Sequence, residues 1–234
     1  KVESLEAAEM AKLINNSFRD YVFAYANQMA KIASQFNMNV VDVIRAANEG
    51  YPRDPVPFPS PGVGGPCLTK DPHIFASVAE EFHFNNEIFL RGRQINESMH
   101  IMVFESVINQ LILNGKDPKN CKILVCGLAF KGNPETGDIR NSSGVEIAQL
   151  FLGKVMGVYG YDPIALVNEV LEYGIEPVKL LGACEKMDAV LFLNNHKSFE
   201  KINMFDMVRS MNEKPIIYDG WNLFRFEEIL STRP

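Results

Sequence analysis

The sequence predicts an all-helical domain followed by an α/β domain on a parallel sheet, α + α/β in class. Three observations carry this. Apolar residues recur at helical spacing through the first half. Short apolar runs alternate with helical patterns through the second, which implies a parallel sheet with helices on both faces. The change of period follows Asn114-Gly115-Lys116-Asp117-Pro118, a sharp helix stop.

In the first half, Leu5, Ala8, Ala11, Ile14, Phe18, Val22, Ala26, Met29 and Ile32 mark one long helix from Ser4, a plausible N-cap, to about Phe36. Its face is too apolar for a solitary helix. Asn37–Asn39 break it, and Val40–Asn48 form a second helix. Tyr51–Pro61 carries five prolines and must be an extended, restricted loop. A third helix runs from Asp71-Pro72 to about Phe82, and a long fourth from about Asn86 to Leu113. In the second half Lys122–Cys126, Val155–Tyr161, Val178–Leu180, Ala189–Leu193 and Ile216–Tyr218 read as strands, the third of them weakly. Ser143–Leu152, Ala165–Tyr173 and Phe205–Met211 read as the helices between. The domains are therefore expected at 1–114 and 115–234, joined through the long helix.

Composition narrows the function. A net charge of -6 argues against a nucleic-acid surface, which needs a basic face. No run of eighteen apolar residues suggests a membrane span, and no signal peptide precedes the first helix. The four cysteines show no CxxC spacing and suit a reducing compartment, and no histidine is spaced for a metal site. The opening at Lys1, almost directly on a helical pattern, suggests a piece of a longer chain.

The chemistry centres on Pro61-Gly62-Val63-Gly64-Gly65-Pro66-Cys67-Leu68-Thr69-Lys70-Asp71. Gly62, Gly64 and Gly65 let the backbone take positive φ and approach a ligand closely. Cys67 follows, with an ammonium and a carboxylate three and four residues on. A thiolate is a strong nucleophile when a nearby lysine or helix N-terminus lowers its pKa, so this layout suits covalent catalysis. The competing reading is a surface turn with Cys67 as a small buried hydrophobe. Lys12 and Asn16, one helical turn apart, point the same way, into a cavity or into water.

In the second half, Lys131, Asp162, His196 and Asp219 fall at the carboxyl ends of strands, where such sheets bind ligands. The loop after the first strand lacks GxGxxG and offers Lys131 and Arg140 for phosphate or ribose oxygens, or for pairing among its own charges. Asp162 suits a ribose contact or a turn before proline. His196 reads as a cap or surface residue.

Five stretches together resemble the UDP-glucose/GDP-mannose (nucleotide-sugar 6-) dehydrogenase family: Glu6–Asp20, GVGGPCLTKD at Gly62–Asp71, GLAFKGNPETGDIRNSS at Gly127–Ser143, GYDP at Gly160–Pro163 and DGWN at Asp219–Asn222. The resemblance implies an NAD-binding N-terminal domain, absent from this chain. It further implies a helical central domain that pairs subunits and a Rossmann-like UDP-binding domain. It implies a cytoplasmic enzyme of polysaccharide biosynthesis, a homodimer or larger, that oxidises C6 of a UDP-sugar twice with NAD, four electrons in all, through a thiohemiacetal and thioester on Cys67. By motif position, Lys12 and Asn16 would serve the developing oxyanion and Asp71 the hydrolytic water. Gly62, Gly64 and Gly65 would lie against the sugar nucleotide, and Lys131 against UDP. Arg53 would reach sugar in a neighbouring subunit, and Arg140 the NAD pyrophosphate. Trp221 stands where the family usually has arginine, and Pro66 replaces the commoner serine or histidine. The wording around Cys67 tilts the expected substrate toward N-acetylated sugars, chiefly UDP-N-acetylmannosamine, with UDP-glucose as the alternative. Two other readings are a UDP-sugar-binding module without activity, and a cysteine hydrolase using His73 or His83.

Overall fold

Ser4 starts the first helix as its pattern requires, its hydroxyl accepting the Ala7 N–H at 3.2 Å. A computed structural model describes residues 2–224, so residues 225–234, the end of the expected second domain, lie outside the described residues. The chain divides into two units, Lys1–Met99 and His100–Pro234, and the division falls inside the fourth helix rather than at its end.

The first unit is helical. Helix α1 spans Leu5–Gln35, α2 Val40–Asn48, α3 Asp71–Glu81, and α4, Glu87–Leu113, begins here. Asn39 caps α2 by accepting the Val41 N–H, and Pro72 sits in the first turn of α3, where a missing N–H costs nothing. The face α1 buries is built of Ala24, Ala26, Ala30 and Ala33, small side chains that permit close helix approach. Among them lie buried Ser17, Asp20 and Asn27. Ile14, Phe18, Tyr21, Tyr25 and Ile32 stay exposed in a stripe, so the apolar pattern of α1 exceeds what this unit covers.

The second unit is a five-stranded parallel sheet. Its strands are β1 (Lys122–Cys126), β2 (Gly157–Tyr161), β3 (Glu176–Pro177), β4 (Ala189–Phe192) and β5 (Ile216–Asp219), in the order β3-β2-β1-β4-β5. Helices α5 (Ser143–Phe151), α6 (Val167–Glu172), α7 (Leu180–Ala183) and α8 (Met204–Ser210) connect them. Alternate residues of β1 feed two cores. Ile123 and Val125 pack with Phe151, Ile147 and the α4 residues Val103, Val107 and Leu111. Leu124 and Cys126 pack with Phe192, Phe199, Met204 and Met207. Covered on both faces, β1 reads as a continuous apolar run.

Two strands differ from expectation by more than one residue. The second begins at Gly157 rather than Val155, because Lys154 and Val155 still turn back onto Phe151. The third is not Val178–Leu180. It pairs through Tyr159↔Glu176 and Gly160↔Pro177, the Val178 N–H makes the last link to the Gly160 carbonyl at 2.9 Å, and Leu180 opens α7. As an edge strand it needs only one partner and tolerates proline, which periodicity does not reveal.

Candidate active site

The turn before α3 carries the cysteine outward. Residues 60–65 are buried, with Gly62 at φ 116° and Gly65 at φ 92°, the left-handed region where a side chain would strain the chain. Gly64 is buried without needing positive φ. The backbone then tightens into helical-type turns: Thr69 donates to the Gly65 carbonyl at 3.3 Å and Asp71 to the Cys67 carbonyl at 2.8 Å. α3 proper starts only at Asp71. Cys121, Cys126 and Cys184 are buried, and burial pushes each of their thiols up, that of Cys184 to about 11. Cys67 is exposed. The packing role therefore belongs to the other three.

Asp71 gathers the expected partners of Cys67. Its carboxylate is fully buried; Asn16 Nδ2 donates to Oδ2 at 2.6 Å, Lys12 Nζ stands 3.3 Å from the same oxygen, and Lys70 Nζ 3.3 Å from Oδ1. Burial pushes this carboxyl up, but the Asn16 hydrogen bond and the two ammoniums outweigh it and hold it below the usual carboxylate range. The site thus holds an ionised carboxylate, two ammoniums and an amide, one backbone turn from an exposed thiol. Arg53 stands apart on the proline-rich loop, exposed, its guanidinium 5.6 Å from the Tyr51 ring centroid. His73 and His83 are both exposed.

A buried polar network behind the cysteine turn escaped the sequence reading. Arg93 of α4 pairs with Asp20 of α1 at 2.6 Å and donates to the Val63 carbonyl at 2.6 Å and the Leu68 carbonyl at 3.2 Å. Asn96 donates to Asp20, Asn27 donates to Asn96, and the Ser60 N–H donates to Asn27. The available signal was periodic: Asp20 and Asn27 stand seven apart on a small-residue face, and Arg93 and Asn96 three apart.

In the second unit, Asp162, after β2, takes the Leu128 and Ala129 N–H groups on Oδ2 and those of Ile164 and Ala165 on Oδ1. It is a hub for the loop after β1 as well as a turn former. His196 stands at the N-cap position of the 3-10 turn Lys197–Lys201, as a cap reading expects, but its side chain makes no cap hydrogen bond and is fully buried, contrary to a surface reading. Its ring lies between Asp162 (Nε2, 3.3 Å) and Glu135 (Nδ1, 3.3 Å) and edge-on to Phe199. Burial pushes the imidazole pKa down, but the two carboxylates outweigh it and the net direction is up. Burial likewise pushes Asp162 up, and His196 with four backbone N–H donors, among them Ala129, brings it below the usual range. Gly132 packs against the backbone that carries His196: a Cβ there would run into the backbone nitrogen of His196 and the carbonyl carbon of Asn195.

Lys131 rides on this loop, half-buried, 5.4 Å from the Phe130 ring centroid. Arg140 is exposed and bidentate to Asp138 at 2.9 and 2.7 Å. It lines a cleft of about 560 Å³ that also carries Glu169 and Glu172. Only two of its five N–H donors go to Asp138, so the residue retains capacity for a phosphate oxygen. Trp221 donates its indole N–H to the Leu193 carbonyl at 3.0 Å, which spends its one polar group on the backbone.

The helical unit presents an exposed cysteine one turn from an Asp71 that holds Lys12 and Asn16, and the sheet gathers loops at the carboxyl ends of β1, β2 and β4. Residues 6–98 match the central domain of the UDP-glucose/GDP-mannose dehydrogenase family and 124–226 match its UDP binding domain. The chain belongs to that family. It is 35% identical over 93% of its length to a UDP-N-acetyl-D-mannosamine dehydrogenase of Pyrococcus horikoshii, covering 49% of that relative. It is 31% identical over 94% of its length to a UDP-N-acetyl-D-glucosamine 6-dehydrogenase of Salmonella typhi, covering 51%. The solved structure of the UDP-D-ManNAc dehydrogenase from Pyrococcus horikoshii superposes with a TM-score of 0.80 at 33% identity, over 94% of this chain and 49% of that one. The chain thus spans about half the length of the curated relatives it matches. Among the described residues, no helix is long and apolar enough to cross a membrane.

Proposed function

We propose that the full-length protein is an NAD-dependent, four-electron UDP-sugar dehydrogenase. Its substrate is a UDP-N-acetylhexosamine, chiefly UDP-N-acetylmannosamine, oxidised twice at C6 to the uronic acid. The observation that carries this reading is the exposed Cys67, one turn from an Asp71 carboxylate that also holds Lys12 and Asn16. The names of the relatives support the sugar class.

The covalent step answers a chemical need. An aldehyde has no hydroxyl from which a second hydride can be driven out. Addition of the Cys67 sulfur to the aldehyde carbon makes a carbon–sulfur bond, and the oxygen takes a proton to give a thiohemiacetal. Loss of the hydroxyl proton and of the C–H hydride leaves a thioester. Water then adds to the thioester carbon, the carbon–sulfur bond breaks, and uronate and thiol are released. Lys12 and Asn16 donate to the oxygen that gains charge at each addition. Asp71 holds both donors and orients the hydrolytic water, or takes its proton.

Two NAD molecules, bound in turn, would each supply the acceptor for one hydride; Arg140 would hold the pyrophosphate in exchange for Asp138. Lys131 serves the UDP portion, Gly62, Gly64 and Gly65 the sugar nucleotide, and Arg53 a neighbouring subunit's sugar. The protein pairs through the exposed α1 stripe, whose spacing of 14, 18, 21, 25 and 32 is that of a helix seam. At about 100° per residue this stripe lies on the side of α1 opposite Lys12 and Asn16, so pairing leaves them free. The enzyme acts in the cytoplasm, in polysaccharide biosynthesis, a setting supported by four free thiols. The present chain alone binds UDP-sugar without turning it over.

A panel of UDP-sugars supplied to the full-length protein with excess NAD tests the reading. Two NADH per UDP-N-acetylmannosamine consumed is the expected result; one NADH per sugar, or no turnover of any N-acetylated sugar, would overturn it.

A further inference from the structure

We propose that Arg93 is a positioning residue for the covalent step, its guanidinium fixing the turn that presents Cys67; this rests on the covalent reading of Cys67 above. The side chain is buried to 1% exposure, and its fork reaches the Val63 carbonyl from Nη2 and the Leu68 carbonyl from Nη1. Between those carbonyls lie Gly64, Gly65, Pro66 and Cys67, so one planar group holds both ends of the cysteine turn. Asp20, itself 1% exposed, orients the fork through Nη1, and Asn96 fixes Asp20 through its side-chain and backbone oxygens. Asn27 carries the same network to the Ser60 N–H, just before the glycine turn.

Burying an arginine–aspartate pair is a poor way to gain stability, because desolvating two charges consumes most of their attraction, and apolar residues of similar volume often do as well. Apolar residues cannot hold two carbonyls at set directions. A glycine-rich turn has wide conformational freedom, and placing the sulfur within reach of a carbonyl carbon demands that this freedom be removed. Lysine cannot substitute, since its single ammonium lacks the planar fork.

The test is Arg93→Lys in the full-length protein, with Asp20→Asn as a second variant that keeps volume and disturbs the fork only through its partner. Amide hydrogen exchange reads the turn directly. The N–H groups of Thr69, Lys70 and Asp71, which donate to the Gly65 and Cys67 carbonyls, are expected to exchange at least about tenfold faster, with α1 and α4 amides unchanged. The two half-reactions give the functional readout. Oxidation of alcohol to aldehyde does not need the sulfur and should persist, whereas aldehyde should escape to a carbonyl trap in place of uronate. Equal exchange in the turn, protection lost evenly across the helices in both variants, or a proportional loss of both half-reactions would overturn the proposal. Cys67→Ser, run alongside, separates the two claims: if it makes uronate at the parent rate the covalent reading fails, and the exchange data alone decide whether Arg93 holds the turn.

Discussion

Asn16 Nδ2 donates to Asp71 Oδ2 at 2.6 Å, joining helix α1 to the turn after Cys67 across 55 residues of chain. One helical turn earlier, Lys12 reaches the same oxygen at 3.3 Å. A single buried carboxylate therefore sets the direction of two donors that otherwise stand on a partly exposed helix face. The consequence is that Asp71 has a stability role that can be measured apart from the chemical one proposed for it.

Asp71→Ala removes the acceptor of a hydrogen bond and the partner of two ammoniums. Unfolding in urea should show a loss of about 1.5–3 kcal/mol, typical of a buried hydrogen bond to a charged group. Because its folded pKa is depressed, the parent's advantage is complete above about pH 3.9, the unfolded value, and disappears as pH falls through the lower folded value. Equal urea midpoints for the two proteins at neutral pH would count against this.

His196 gives the opposite sign. Its folded pKa is raised by Asp162 and Glu135, so its contribution is complete below about pH 6.5 and is lost as pH rises through the folded value. The urea-midpoint difference between the parent and His196→Gln should shrink from about pH 6 to about pH 9. A difference constant over that range contradicts the clamp between the two carboxylates.

Gly132→Ala forces a methyl group onto the His196 and Asn195 backbone, at 2.2 and 2.5 Å. Neither atom is the end of a flexible side chain, so the Lys131 loop must shift. We expect a stability loss of about 1–3 kcal/mol and weakened binding of UDP by calorimetry, with Cys67 alkylation at its usual rate. Unchanged UDP affinity would show that this loop does not contact the nucleotide.

Phe18→Glu combined with Tyr25→Glu places two charges in the exposed stripe of α1. Light scattering of the full-length protein should then give the monomer mass where the parent gives at least a dimer. An unchanged mass would move the subunit contact elsewhere.

Much of this was legible in the chain. Helical spacing placed α1 and α2 to within about a residue, because their buried faces and caps lie in the same local sequence. The pairing of Lys12 and Asn16 followed from one turn of helix, but their meeting with Asp71 depends on packing between α1 and α3. Arg93 sits in a stretch that also carries Arg91 and Glu97, and its burial comes from Asp20 of α1 and from the turn carbonyls of Val63 and Leu68, all distant in the chain. His196 carries no periodic signal, since its burial comes from three loops converging at the ends of β1, β2 and β4. Contacts that close through distant loops leave little trace in local pattern, and both cases are of that kind.

The most direct test of the account is the product made by Cys67→Ser in the full-length protein given UDP-N-acetylmannosamine and excess NAD. Uronate formation is expected to fall by at least about a hundredfold while the first oxidation remains measurable. Uronate formed at the parent's rate would contradict it.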